Sequence, residues 1–189
     1  GFMVGVANAT DFRVPPADAI NKKFFIAQYT FAPGDKVKFY LNYAGGQGPD
    51  TSKSSQFDAV ITAKLSDKFN IGFNGTVNST QVWDGVKNLD AETWSGAALY
   101  LNVDPKPNFG LTLRTELFND KKQLKVFGAS TEGGSIFATT LSANIKAGGF
   151  TFIPEFRVDA ANKDVLFIDK DGIGTKSSAS FLIAAVYSF

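Results

Sequence analysis

The chain contains no histidine and no cysteine. Without cysteine, neither a disulfide framework nor a thiolate metal site can form. Without histidine, the commonest general base and the commonest metal ligand are both missing, which weighs against most hydrolytic chemistries. An excess of charge of one sign is also lacking: 19 Lys and Arg face 18 Asp and Glu. No basic field therefore exists for a nucleic-acid backbone, and no nucleic-acid partner is expected. The third absence is a long apolar run. Hydrophobic residues make up 44% of the sequence, yet none of its stretches approaches the roughly 20 consecutive apolar residues of a membrane-spanning helix.

What is present is phenylalanine, 19 of 189 residues, and strict alternation. In Lys36 to Tyr43, Val37, Phe39, Leu41 and Tyr43 share one face and Lys36, Lys38, Tyr40 and Asn42 the other, the period of two that a half-wet strand requires. Phe57, Ala59, Ile61, Ala63 and Leu65 oppose Gln56, Asp58, Thr62 and Lys64. Phe109, Leu111, Leu113 and Leu117 oppose Thr112, Arg114 and Glu116. Phe150, Phe152, Phe156 and Val158 oppose Thr151, Glu155, Arg157 and Asp159. Ten such segments are predicted, near 1–9, 23–32, 36–45, 55–66, 69–79, 92–103, 109–119, 134–146, 149–160 and 178–189.

Their connections alternate in length. Pro33-Gly34-Asp35, Asp67-Lys68, Pro105-Lys106-Pro107 and Ala147-Gly148 supply tight-turn chemistry, as hairpins demand. Between them lie longer polar connections at 10–22, 46–54, 80–91, 120–133 and 161–177. Short turns at one end, long loops at the other and strands of about ten residues are the pattern of a transmembrane antiparallel up-and-down β-barrel. An edge left open in hydrocarbon would cost several kcal/mol per unsatisfied backbone group, so closure is expected. The expectation is thus an all-β chain with one barrel domain over 1–189, whose ten strands close on themselves or join a larger barrel.

The last segment puts Phe181, Ile183, Ala185, Tyr187 and Phe189 on one face. A terminal Phe after alternating apolar residues resembles the signal read by the bacterial outer-membrane barrel assembly machinery, which makes Phe189 and Tyr187 the candidate assembly signal; an ordinary core strand is the alternative reading. With Phe189 at the periplasmic rim, all four short turns fall in the periplasm and all five long loops outside. Tyr29, Phe31, Phe39, Phe69, Phe109, Phe150, Phe152, Tyr187 and Phe189 then collect near the short-turn ends, as an interfacial girdle would.

The succession FFIAQYTFAPGDKVKFYLNYAGG, FDAVITAKLSDKFNIGFNGTV, FGLTLRTELFND, FTFIPEFRVDAANKDVLFID and SFLIAAVYSF resembles the carboxy-terminal portion of the OmpL-like β-barrel porins over nearly the whole chain. Most telling are Leu113 to Asp120, similar to the family's Leu-Arg-x-Glu-Tyr-Phe-x-Asp stretch but with Leu117 in place of the aromatic, and Pro154-Glu155-Phe156-Arg157 followed by Asp159. Members are typically longer, so the resemblance implies further strands before Gly1. It also implies a Gram-negative outer membrane, with the lipid bilayer, lipopolysaccharide, the assembly machinery and other outer-membrane proteins as partners, and with no cofactor.

Alternation assigns Lys36, Lys38, Asp58, Lys64, Arg114, Glu116, Glu155, Arg157 and Asp159 to a lumen. Arg114, Glu116, Glu155 and Arg157 are expected to form a charge cluster that sets ion preference; a purely structural ion-pair network is the alternative. Other motifs carry less. Asp169-Lys170-Asp171-Gly172 lacks the later ligands of a calcium loop, and Gly45-Gly46-Gln47-Gly48 opens no helix. The leading functional expectation is a porin-like channel for passive diffusion of small hydrophilic solutes and ions, not an enzyme, since rim-located catalytic sites generally use histidine. The alternatives are a non-conducting accessory barrel that binds a partner protein and an inverted, soluble ligand-binding barrel.

Overall fold

The computed structural model describes residues 1–9 and 22–189, so the expected connection at 10–22 lies almost wholly outside the described residues. Ten antiparallel strands form one sheet in sequence order. They are β1 (Phe2–Ala7), β2 (Phe24–Phe31), β3 (Val37–Gln47), β4 (Lys53–Lys64), β5 (Phe69–Gln81), β6 (Glu92–Lys106), β7 (Phe109–Asp120), β8 (Gly134–Ala147), β9 (Phe150–Ala161) and β12 (Ser177–Tyr187). A two-stranded ribbon, β10 (Phe167–Ile168) and β11 (Gly174–Thr175), stands inside the connection between β9 and β12. Among the described residues no ladder joins β1 to β12, which are therefore the two edges of the sheet.

Strands β2 to β9 follow from their alternation. The edge strands β1 and β12 instead carry apolar residues on both faces, Met3 beside Phe2 and Val4 and Leu182 beside Phe181 and Ile183, and the β10–β11 ribbon falls inside a segment expected to be a plain connection. Gly148 adopts φ +60 in the hairpin between β8 and β9, a conformation that glycine accepts without steric cost. The sixth strand runs further than its alternation suggests: β6 continues through Asp104, Pro105 and Lys106 across a register shift opposite β7. Proline is tolerated there because a bulge frees the position from donating to the ladder. Pro154 acts similarly within β9. It pairs with Ile183 of β12, while the β8–β9 ladder is interrupted between Ser142↔Glu155 and Ile145↔Phe152.

The faces are inverted relative to a soluble sandwich. Leu141 is 50% exposed, whereas its neighbour Thr140 is 3% exposed. Phe57, Leu117, Phe137 and Phe156 stand open with Leu141, while Asn78, Ala98, Ala138 and Thr140 are buried. The apolar side is the exposed one and the polar side the more covered one, as in a wall whose outside is lipid. This arrangement removes the inverted, soluble alternative, which would need the apolar face inward. Aromatic rings mark both borders of the outer face. Phe150 and Phe152 (centroids 5.8 Å apart), Phe150 and Tyr187 (4.7 Å) and Tyr187 and Phe189 (6.2 Å) cluster at the short-turn end. A second group absent from the sequence-based expectation, Phe25, Tyr43 and Phe57, lies toward the long loops.

Candidate lumenal site

Side chains on the inner face are ordered by register as well as by alternation. Lys38, Thr62, Gly72, Tyr100, Arg114, Thr140 and Arg157 are successive partners across β3 to β9. The next inward row toward the long loops runs through Tyr40, Val60, Asn74, Ala98, Glu116, Ala138 and Asp159. The two arginines therefore share one row and the two acids share the next.

From this placement comes a continuous ion-pair network. Glu116 accepts from Arg114 through Oε1 and from Arg157 Nη1 through Oε2, the latter at 2.6 Å. Arg157 donates Nη2 to Asp159 Oδ1 at 2.7 Å and Nη1 to Thr140 Oγ1 at 3.3 Å. The guanidinium of Arg114 lies 5.5 Å from the ring centroid of Tyr100, within cation–π range. Glu155 departs from the expected cluster: it accepts from Ser142 Oγ at 2.8 Å, its direct cross-strand partner, one row closer to the short turns. Asp159 takes its place.

A second polar group spans β2 to β5. Gln28 donates to Asn42 at 2.7 Å, and Asn42 donates to Asp58 Oδ1 at 2.7 Å. The other oxygen of Asp58 accepts from Asn74 and Thr76, each at 2.5 Å. A carboxylate on this wall is thus satisfied entirely by neutral donors, which leaves its charge uncompensated by a cation. Below it, Lys36, Lys38 and Lys64 border a concavity of about 780 Å³ together with Asp58, Asn70 and Tyr100. Lys64 pairs with Asp67 at 2.8 Å at the exposed turn, and that hydrogen bond and charge hold the Asp67 carboxyl below its usual range.

Several inward residues escape a reading that treats aromatics as lipid-facing. Trp94 stacks on Phe118 with centroids 5.2 Å apart, and both stand on the inner face, Trp94 opposite Asn78 and Phe118 opposite Gly96. Asp120 is fully buried. The signal for it was present, because Arg114, Glu116, Phe118 and Asp120 continue one period-two face to the end of β7.

Comparison with known proteins was made on the sequence and on the fold. The model of the family described as "Putative beta-barrel porin-2, OmpL-like" matches residues 1–189. No curated protein sequence matches the chain. Among solved structures, a NanC porin in a rhombohedral crystal form superimposes with a TM-score of 0.57 at 10% sequence identity, covering 89% of this chain and 80% of that one. At that identity the likeness is one of fold.

Proposed function

Because the chain belongs to the OmpL-like family of putative β-barrel porins, which matches it from end to end, we propose that it forms a bacterial outer-membrane pore for passive diffusion of small hydrophilic solutes and ions. The observation that carries this reading is the inverted wall: lipid-compatible side chains outside, and inside a surface of amides, hydroxyls and paired charges. Such a surface solvates a permeating solute without committing to one chemistry. The inner charges are nearly balanced, and weak ion selectivity follows.

The surroundings follow from the same faces. We assign the outer face to the bilayer and the Phe25, Tyr43 and Phe57 group to its long-loop border, where lipopolysaccharide would be met. Assembly through the outer-membrane barrel machinery, with Tyr187 and Phe189 in the recognised segment, is part of this proposal.

The test is single-channel recording of the full-length, detergent-purified protein in planar lipid bilayers. Discrete, long-lived conductance steps are expected. Silence from protein shown to be folded by heat-modifiable gel mobility would overturn the channel and favour an accessory barrel. That second reading draws on one feature: the connection between β7 and β8 leans over the inner face, where Leu124 and Lys125 border a concavity with Gln56, Asn78 and Trp94.

A further inference from the structure

The connection at 121–133 is folded around a single carboxylate. Asp120, the last residue of β7, is fully buried, and its Oδ1 accepts the backbone N–H of Leu124 at 2.7 Å while Oδ2 accepts those of Lys125 and Phe127, each at 2.9 Å. A carboxylate that gathers three backbone donors fixes the path of the chain that carries them. Phe127 has no exposed surface and lies against Gly134, where a β-carbon would meet its ring at 2.9 Å. The glycine at the start of β8 thus makes room for the ring. Gln123 Nε2 donates to the carbonyl of Ser130, and Ser130 N donates to that of Phe127. Two exposed ion pairs, Lys122 with Glu92 and Lys163 with Glu132, tie the flanks to neighbouring connections.

The direction of this fold is inward. Leu124 and Lys125 border a space of about 540 Å³ whose other walls include Ser54, Gln56, Asn78 and Trp94, inward residues of β4, β5 and β6. Across this space Leu124 and Lys125 face the inner sides of three strands beyond their own hairpin.

We propose that the 121–133 loop is a fixed constriction at the long-loop mouth of the pore, with Leu124 and Lys125 as its narrowing residues and Asp120 as the positioning residue that locks them there. Solutes are selected by size at this neck, above the Arg114–Glu116–Arg157 network. The inference rests on the channel reading for its conductance effect, but the lock itself can be probed without any current.

Two readouts separate them. In planar bilayers, Asp120→Ala is expected to raise single-channel conductance about twofold and to add open-channel noise, because a mobile loop obstructs a polar pore intermittently. Asp120→Asn, which keeps one accepting oxygen, should fall between. Independently, a single cysteine introduced as Asn78→Cys in this otherwise cysteine-free chain reports on access to the wall below the loop. Its labelling by a bulky, membrane-impermeant maleimide should be slow in the parent and about tenfold faster with Asp120→Ala, the scale expected when a buried multi-donor anchor is removed. Leu124→Ala, which leaves the anchor intact, controls for variants that fold poorly and should also speed labelling, though less. Unchanged labelling in folded Asp120→Ala and Leu124→Ala proteins would overturn the constriction. Altered labelling in a parent that never conducts would uphold the lock and overturn the channel.

Discussion

Leu141→Arg is expected to destabilise the membrane-inserted protein by about 2–4 kcal/mol, the cost of a cation on the lipid face near the bilayer midplane. Leu141 lies near the middle of β8 and stands opposite Leu113 and Phe156, the latter also half-exposed. The nearest polar groups on that face are the uncharged hydroxyls of Thr139 and Thr115, so the guanidinium finds no counter-charge there and would have to thin the bilayer or reach for its border. The adjacent Ser142→Arg makes the contrast. Its side chain points inward, within reach of Glu155, and should leave stability within about 1 kcal/mol, as substitutions at partly solvated positions usually do. Urea unfolding from lipid vesicles, followed by tryptophan fluorescence, measures both. Equal effects at 141 and 142 would contradict the assignment of the faces.

The second large effect is expected at Arg157. This guanidinium joins Glu116, Asp159 and Thr140, so Arg157→Gln leaves two carboxylates facing the lumen with Arg114 as the sole remaining cation of the network. The reversal potential under a salt gradient should move toward cations, and Arg114→Gln should move it the same way. Stability should fall by about 1–3 kcal/mol, the loss typical when one partner of a charged hydrogen-bonded group is removed. A reversal potential unchanged in both variants, with stability reduced, would make the network a structural brace with no part in selectivity.

The strands were legible because the pleat ties every residue to a face, and a period of two held over ten segments leaves little freedom in where strands lie. Faces are not partners, however. Glu155 has the right phase for the charge cluster but sits one row away, bonded to Ser142, because register, and not alternation, decides who meets whom. Register is set by turns and bulges such as the one at Asp104 and Pro105, whose extent the local sequence does not declare. The 121–133 loop was illegible for a different reason. It has no periodicity, and its order depends on Asp120 and Phe127 burying each other's surroundings, a long-range outcome. Phe118 was within reach of the same reading, since it stands in phase with Arg114 and Glu116, but its stacking on Trp94 depends on the β6–β7 register, which alternation does not give.

Arg114 and Arg157 each lie two residues nearer the short-turn end of their strands than Glu116 and Asp159. The wall consequently carries a positive pair beside a negative pair, in rows that run across the strands and follow one another along the pore axis. An ion entering from one side meets attraction and then repulsion, and from the other side the reverse order. Such an asymmetry should make the current differ between opposite voltages even in symmetrical salt.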